Sequence, residues 1–317
     1  MIYTVTLNPA VDRELTVPAI EFDTVLRAND WRVDFGGKGF NVSRMLMALG
    51  SPSIALGFAG GRAGELLRDG LASLGIQTDF IWVEGETRTN VSIVDEGNGR
   101  YVKVNEPGPT IAAADQEKLL AQVRQLAQPG DWWVLAGSLP PGVPPTMYAD
   151  IISILHQANA KAILDTSGAA LEHGCAARPF LAKPNDAEAS KLTGLPVKNR
   201  VQIAVAAQTI QATGVSNVVI SLGKDGAMLA NGQQTVVATS PTIEEQNPIG
   251  AGDSMVGGLV WGLSHNQDVS ESLRWGIACG AATASMKGTA VGNKAVVKSL
   301  HSKVTLDKLE TKASKFS

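Results

Sequence analysis

A short segment of small and acidic residues, Asn247 to Met255, has a composition that suits phosphoryl transfer. Gly250 and Gly252 leave backbone N–H groups uncovered, and the apolar run that follows predicts a helix whose N-terminus attracts anions. Asp253 lies in the first turn of that helix, where a carboxylate can accept the proton of an attacking hydroxyl. Taken alone, the segment fits ordinary helix capping better, because aspartate and glycine are common where helices begin.

A glycine-rich segment in the first part of the chain offers a second set of polar groups. Gly36 and Gly37 expose backbone amides, Lys38 adds a cation, and Asn41 adds an amide side chain. These groups suit a sugar phosphate, although a glycine-rich turn with a solvated lysine has the same composition. Asp12 comes just after the first predicted strand, at the edge where open α/β sheets bind their ligands.

Two further segments each follow a predicted strand. Asn185 and Glu188 lie one turn apart on one face of a predicted helix and, taken alone, are best interpreted as a helix cap with its capping-box glutamate. Ser221, Gly223 and Gly226 form the other segment. Its glycines fit either close approach of a nucleotide to the backbone or a tight hairpin turn.

Motifs of several other enzyme classes are missing from the sequence. There is no P-loop, no complete dinucleotide-binding fingerprint, no HExxH pattern and no GxSxG elbow. The net charge of −3 and the 5% of aromatic residues disfavour nucleic-acid binding, and no apolar run is long enough to span a bilayer. With no basic leader and two distant cysteines, Cys175 and Cys279, we expect a cytoplasmic protein with reduced, buried thiols.

Short β-branched runs alternate with longer amphipathic runs, which predicts an α/β fold with a mostly parallel central sheet flanked by helices on both faces. Two segments, at about residues 12–35 and 88–105, break this alternation and look like pairs of strands. We therefore expect them to form a small sheet that acts as a lid on a single domain of residues 1–317. Beyond Leu300 the polar composition predicts a terminal helix. The predicted strands of the central sheet are Ile2–Leu7, Ser53–Phe58, Trp132–Leu135, Ala162–Asp165, Phe180–Lys183 and Val218–Leu222.

Together and in this order, the polar segments resemble those of the ribokinase-like PfkB carbohydrate kinases, from Met1 to about Thr289. Residues 250–253 match the C-terminal signature of that family, and residues 36–39 with Asn41 match its N-terminal signature. The resemblance implies a ribokinase-like fold. It also implies transfer of a phosphoryl group from ATP to a carbohydrate hydroxyl with the help of Mg²⁺.

The resemblance further implies a role for each matching residue. Asp253 would be the general base, the backbone amides of Ala251, Gly252 and Asp253 would form the anion hole, and Gly250 would belong to the same catalytic segment. The substrate-binding residues would be Asp12, Gly36, Gly37, Lys38, Asn41, Arg88, Asn90 and Ser138. The nucleotide-binding residues would be Lys183, Asn185, Ser221, Gly223, Gly226 and Asn247, and Asn185 and Glu188 would hold Mg²⁺ through water.

Three segments, Thr6–Asp12, Gly85–Asn90 and Ala136–Pro140, are similar to the branch of the family that acts on phosphorylated ketohexoses. Such a substrate needs a cationic pocket, which Arg88 and Lys38 would supply. Similarity in the first twelve residues and in residues 87–91 favours 1-phosphofructokinase activity, the conversion of fructose 1-phosphate to fructose 1,6-bisphosphate. The Asn-Pro pair at 247–248 and residues 106–110 look more like tagatose-6-phosphate kinases, and the minor 6-phosphofructokinase is a third alternative.

Three further expectations accompany the resemblance. In related kinases the lid often forms a dimer interface, so a homodimer through the lid is expected. Met286 and Ala290 stand where relatives that bind a monovalent cation have polar side chains, which argues against such a site. A sugar-phosphate sensor that keeps the fold without the reaction is a hypothesis of a different class, disfavoured by the intact set of Asp253, Asn185 and Lys183 with their neighbours.

Overall fold

A computed structural model describes residues 1–288 and 290–309 of the chain. Residue 289, within the segment considered for a monovalent cation, and residues 310–317 lie outside the described part. No helix among the described residues combines the length and the apolar character needed to cross a membrane.

Strands and helices alternate along most of the described chain. The strands are β1 (Ile2–Thr6), β2 (Ala10–Val17), β3 (Asp30–Gly36), β4 (Ile54–Ala59), β5 (Gln77–Trp82), β6 (Arg88–Asp95), β7 (Tyr101–Asn105), β8 (Trp132–Ala136), β9 (Lys161–Asp165), β10 (Leu181–Ala182), β11 (Asn217–Ser221), β12 (Ala227–Ala230), β13 (Thr235–Thr239) and β14 (Thr305–Leu309). The helices are α1 (Lys38–Leu49), α2 (Gly61–Ser73), α3 (Ala113–Leu126), α4 (Met147–Gln157), α5 (Gly168–Ala176), α6 (Asp186–Thr193), α7 (Arg200–Gln211), α8 (Ala251–Ser264), α9 (Val269–Ala284) and α10 (Lys294–His301).

The large sheet has the strand order β14-β13-β12-β11-β10-β9-β8-β1-β4-β5 within the described residues. The strands from β11 through β5 in this order are parallel to one another, and β12, β13 and β14 add antiparallel pairs at the other edge. All six predicted strands are present in it, so the prediction of a mostly parallel sheet is confirmed. The parallel arrangement brings the carboxyl ends of the central strands to one edge, where ligands bind in open α/β sheets.

The central strands are buried on both faces. Successive side chains of a strand point to opposite faces of the sheet, and both faces are covered by other parts of the chain. Trp133 and Leu135 of β8 pack with apolar residues of α3, α4 and α7, whereas Trp132 and Val134 pack with those of α1, α8 and α9. Helices therefore cover both faces, as predicted. Both cysteines are buried and form no disulfide in the described chain, which agrees with their predicted role as small core residues.

Residues beyond Leu300 do not continue as the predicted helix. The helix α10 ends at His301, and Thr305–Leu309 pairs as an antiparallel edge strand with β13. The open edge of β13 offers unpaired N–H and C=O groups, and pairing with them outweighs the weak preference of a polar segment for helix.

A second sheet of the described chain has the order β3-β2-β6-β7 and contains both predicted strand pairs. Its register places Asp12 beside Asn90 on one face, and Leu15, Trp31 and Ile93 on the opposite face. One face of this small sheet is therefore mainly polar and the other mainly apolar. Near its base the apolar face contacts α2 through the ring of Phe35, which packs where Gly70 has no side chain.

Candidate active site

The carboxyl edge of the large sheet brings polar residues from several elements together. Asp165 is the last residue of β9, Lys183 follows β10, and Ser138 follows β8. The helices α1 and α8 begin near this edge, with Lys38 as the first residue of α1 and Asp253 as the third residue of α8. Segments that lie far apart in sequence thus form one polar cluster.

Asp253 occupies the first turn of α8, as the sequence predicts. Gly250 precedes the helix with φ 77°, a left-handed conformation that glycine adopts without a steric penalty. The side-chain Nδ2 of Asn41 donates a hydrogen bond of 2.8 Å to Oδ2 of Asp253, which is 9% exposed. Asn41 was predicted to bind substrate, and here it orients the predicted base.

The pKa of Asp253 is raised to about 6. Burial is the main cause, and the negative charge of Asp165 adds to it. The hydrogen bond from Asn41 and the positive charges of Lys38 and Lys183 act in the opposite direction. A carboxylate with this pKa is ionised at neutral pH and basic enough to accept a proton, which suits a general base.

Asp165 forms the centre of the cationic part of the cluster. Its Oδ1 lies 3.1 Å from Nζ of Lys38 and 3.3 Å from Nζ of Lys183. Burial alone would lower the pKa of Lys38, but the carboxylates of Asp165 and Asp253 outweigh burial and raise this pKa. Sequence reasoning missed Asp165, although a carboxylate at the end of a buried strand is the same signal that identified Asp12.

Gly252 has unoccupied space where a side chain would be. A Cβ added there would have no heavy atom within 4 Å among its non-neighbouring residues. Packing therefore does not require glycine at this position, and the space is room in which a phosphoryl group can approach the first amides of α8. Ala251 and Gly252 are the first two residues of the helix, where N–H groups have no partner within the helix. The N–H of Ala251 donates to the carbonyl oxygen of Pro248 at 3.2 Å.

The predicted glycine-rich cradle lies between the small sheet and α1. At Gly36 a Cβ would collide with the carboxylate of Asp12, so glycine is needed for Asp12 to lie where it does. Gly37, with φ 153°, precedes α1, and a Cβ there would lie 2.8 Å from atoms of Phe40 and Thr6. Close packing therefore explains both glycines.

Asp12 and Asn90, both predicted to bind the substrate, are adjacent. The Nδ2 of Asn90 donates a hydrogen bond of 2.7 Å to Oδ1 of Asp12 across the pair β2 and β6. The Oδ1 of Asn90 is buried and has no hydrogen-bond partner within the described chain. A buried acceptor without a partner is costly, and a hydroxyl of a bound sugar would satisfy it.

Arg88 holds two loops together. Its guanidinium donates hydrogen bonds to the carbonyl oxygens of Asn8, Pro9 and Glu106, at 3.0, 3.3 and 3.2 Å. Burial lowers the pKa of Arg88. A guanidinium has five N–H donors, so these contacts to neutral carbonyls leave both donors and charge for a phosphate.

Asn185 and Glu188 form the helix cap that the sequence alone favours. The Oδ1 of Asn185 accepts from the backbone N–H of Glu188 at 2.8 Å, and the backbone N–H of Asn185 donates to Oε2 of Glu188 at 2.9 Å. A parallel bridge between Asn185 and Ser221 brings this cap next to the segment of residues 221–226.

Two of the residues predicted to contact the nucleotide, Gly226 and Asn247, have local structural roles, whereas a third, Gly223, does not. Gly226 has φ 103°, and a Cβ there would collide with the carbonyl of Ala238, so the hairpin of β11 and β12 explains this glycine. The side-chain amide of Asn247 donates to the carbonyl of Gly288 at 2.7 Å and accepts from the N–H of Ile249 at 2.9 Å, a loop-stabilising arrangement. By contrast, Gly223 has open space at its Cα.

The side-chain oxygens of Asn185 and Glu188, which form the helix cap, are compatible with Mg²⁺. Magnesium takes oxygen ligands, keeps several waters, and needs only one or two carboxylates beside the substrate phosphates. A carboxylate has about four lone-pair sites, so capping by one oxygen of Glu188 leaves room for a metal-bound water. Among the described residues, no group of three or more His, Cys, Asp or Glu side chains is placed to hold a metal ion.

The chain is similar to known carbohydrate kinases over most of its length. Residues 5–295 match the model of the pfkB family carbohydrate kinases. The chain is 33% identical over 308 residues to the 1-phosphofructokinase of Vibrio cholerae, covering 97% of both chains, and 37% identical over 284 residues to that of Bacillus subtilis, covering 90% of this chain and 92% of the relative. It is 34% identical over 277 residues to a tagatose-6-phosphate kinase of Staphylococcus epidermidis, covering 86% and 89%.

Solved structures lead to the same family. The phosphofructokinase-2 of Escherichia coli in complex with potassium superposes with a TM-score of 0.91 at 31% identity, over 95% of this chain and 98% of that chain. The ribokinase of Arabidopsis thaliana, complexed with ribose and ATP, has a TM-score of 0.76 at 20% identity, over 95% and 98%, and shows the shared ribokinase-like fold. The large sheet flanked by helices, the small sheet and the family match all agree, and the chain belongs to the pfkB family of carbohydrate kinases.

Proposed function

We propose that the protein transfers the γ-phosphoryl group of ATP to the C6 hydroxyl of fructose 1-phosphate, giving fructose 1,6-bisphosphate and ADP. The observation that carries the proposal is the buried carboxylate of Asp253, oriented by Asn41 in the first turn of a helix with room for a phosphoryl group at Gly252. Four relatives of 33–37% identity named 1-phosphofructokinase support the choice of substrate.

Asp253 acts as the general base of the transfer. The C6 hydroxyl gives its proton to the carboxylate while the hydroxyl oxygen attacks the γ-phosphorus in line. A new phosphorus–oxygen bond forms as the bond between the γ-phosphorus and the bridging oxygen of ADP breaks. The amides of Ala251, Gly252 and Asp253 and the ammonium of Lys38 stabilise negative charge on the moving group. The proton on Asp253 passes to water after the products leave.

Other residues bind and orient the two substrates. Arg88 binds the phosphate that the sugar already carries, while Asp12, Asn90, Gly36, Gly37, Asn41 and Ser138 surround its hydroxyls. Lys38 was predicted to share the phosphate with Arg88, but its ammonium pairs with Asp165 near the base, so in this proposal it meets the transferred phosphoryl group instead. Lys183, Ser221, Gly223, Gly226 and Asn247 border the nucleotide. Mg²⁺, held through water by Asn185 and Glu188, would neutralise charge on the ATP phosphates.

The small sheet acts as the lid of a single domain in this proposal. Asp12 and Asn90 lie on its polar face, so closure of that face over the sugar would exclude water and limit hydrolysis of ATP. Its opposite, apolar face would form a homodimer interface. That face includes Trp31 at 69% exposure on β3 and Val104 at 61% on β7, so exposed apolar side chains lie on both edge strands of the sheet.

The experiment that tests the function is coupled ADP release with MgATP and five acceptors: fructose 1-phosphate, tagatose 6-phosphate, fructose 6-phosphate, fructose and adenosine. We expect kcat/KM to be largest for fructose 1-phosphate and far lower for the two neutral acceptors. A larger kcat/KM for tagatose 6-phosphate, the substrate suggested by the name of other relatives, would replace the substrate and keep the reaction. Binding of ATP without turnover of any acceptor would favour a sensor of the same fold.

A further inference from the structure

Asp165 connects two cations that separate elements bring to the site. It lies at the end of β9 with 1% exposure, and its Oδ1 contacts Nζ of both Lys38, from α1, and Lys183, from the end of β10. Its Oδ2 is buried and has no hydrogen-bond partner in the part of the chain that the structure describes. A carboxylate in this position is retained at a cost in solvation.

The burial of Lys183 makes this contact essential. Lys183 is 4% exposed, and an ammonium removed from water to this degree needs an anion close by. Lys38 is different, since 40% of its side chain is exposed and it can reach outward toward a ligand. One carboxylate therefore holds a buried lysine and a partly exposed lysine at a common point.

We propose that Asp165 is a positioning residue of the transfer, holding the ammonium groups of Lys38 and Lys183 in place for the phosphoryl group and balancing the charge around Asp253. This role rests on the proposed kinase activity, because the lysines are held for the phosphates of that reaction. Asp165 itself touches the lysines and does not need to touch the substrate.

The charge balance follows from the groups that face Asp253. These are Asp165 from β9, Lys38 from α1 and Lys183, which follows β10, together with the neutral amide of Asn41 from α1. Glu188 from α6 acts on Lys38. With Asp253 ionised, the carboxylates of Asp253 and Asp165 balance the ammonium groups of Lys38 and Lys183, so loss of the Asp165 charge would leave these two cations around one carboxylate.

Three variants test this charge balance by their effect on the pKa of Asp253. The pKa is measured from the ¹³C chemical shift of the Asp253 carboxyl carbon as the pH is varied. That signal is assigned as the one missing from the Asp253→Asn variant. Asp165→Asn removes a negative charge and should lower the pKa of Asp253 by about one unit. Lys183→Met removes a positive charge and should raise this pKa by a similar amount. The double variant Asp165→Asn/Lys183→Met restores neutrality, and its pKa should return toward that of the unmodified protein.

Turnover gives the second readout. Asp165→Asn should lower kcat by about 10- to 100-fold, because displaced lysines no longer meet the phosphoryl group, and the acid limb of its pH profile should move to lower pH. The matched control is Asp131→Asn. Asp131 is also buried and also pairs with an ammonium, that of the N-terminus at 2.8 Å, but it lies at the opposite end of β8. The control should lose stability and keep its kcat and acid limb.

Several outcomes would overturn the role of Asp165. They are an unchanged acid limb and kcat in Asp165→Asn, or equal effects in Asp131→Asn, or a pKa of Asp253 that does not move in opposite directions in the two single variants. If Asp165→Asn alone does not fold, the charge-balanced double variant and Lys183→Met still decide the matter. Absence of turnover in the unmodified protein would refute the proposed kinase activity. The pKa of Asp253 in the variants, measured from its carboxyl ¹³C shift, would still test the charge balance.

Discussion

The side-chain amide of Asn41 donates to Oδ2 of Asp253 at 2.8 Å, across 212 residues of sequence. The bond joins the first turns of α1 and α8, two helices that lie far apart in the sequence. One carboxylate oxygen is thereby held, and the orientation of the other is restricted. An aspartate used as a general base needs such an orienting partner, because proton transfer depends on geometry before it depends on pKa.

The first prediction concerns Asp253 itself. Asp253→Asn preserves size and can keep a hydrogen bond with Asn41, but it removes the basic oxygen. We expect kcat to fall by about 10²- to 10⁴-fold, while the dissociation constants of ATP and of the sugar phosphate, measured by calorimetry, stay within a few-fold. Near-normal turnover of this variant would show that another group accepts the proton.

The second prediction is the pH dependence. The pKa of Asp253 is raised to about 6, and only the ionised form accepts a proton, so kcat/KM should be constant near neutral pH and fall as the pH drops below about 6. Asn41→Leu removes the hydrogen bond that favours the ionised form, so the acid limb should move to higher pH. An acid limb near the pKa of an ordinary aspartate, about 4, would contradict the burial of this carboxylate.

Much of the fold could be predicted from the order of segments, because period-two and longer amphipathic runs have different spacing. The edge strand β14 could not be predicted, since Thr305–Leu309 is polar and becomes a strand only through pairing with β13. The arrangement of the site was harder to predict than the fold. Asp253 and Asn41 were predicted as site residues from the family resemblance, but their mutual hydrogen bond joins distant segments and could not be predicted. Asp165 was missed because it belongs to none of the recognised motifs. Its contacts with Lys38 and Lys183 form only when the fold brings three distant segments together.

The third prediction separates function from packing within one helix. Gly252→Ala adds a methyl group to open space, so we expect unchanged thermal stability but a loss of turnover on the order of tenfold or more, because the methyl group occupies the room for the phosphoryl group. Gly258→Ala is the matched comparison. Its Cβ would lie 2.6 Å from the carbonyl oxygen of Trp275 and 2.8 Å from Sγ of Cys279, so it should cost about 1–3 kcal/mol of stability. Full activity in a stable Gly252→Ala protein would remove Gly252 from the anion hole.

The fourth prediction concerns the turn of the small sheet. Asp95 accepts hydrogen bonds from the side chain and backbone of Asn98 and from the backbone of Ile20, and these bonds outweigh burial and lower its pKa to about 2. Because the folded-state pKa lies below the ordinary value, the stabilisation is complete above about pH 4. It is lost as the pH falls through about 2.

Amide-exchange protection factors in the hairpin of residues 88–105, corrected for intrinsic exchange, should therefore decline between pH 4 and pH 2. Asp95→Asn should lower protection at pH 6 and abolish most of this decline. Asp69→Asn is the control, since Asp69 pairs with Arg68 on the exposed surface, where an ion pair contributes little. The same decline in Asp95→Asn as in the unmodified protein would assign it to other carboxylates.

The fifth prediction concerns the apolar face of the small sheet. Trp31 and Val104 are 69% and 61% exposed in the single chain, and the register places them on the same face, away from Asp12 and Asn90. Large apolar groups on a sheet of this kind indicate a protein interface, because burial of their surface favours association. We therefore expect light scattering to give a dimer for the unmodified protein and a monomer for Trp31→Glu/Val104→Glu, since a buried unpaired carboxylate opposes association. Val201→Glu, a similar change at an exposed position of α7, should remain dimeric. A monomeric unmodified protein, or a double variant that stays dimeric, would refute this interface.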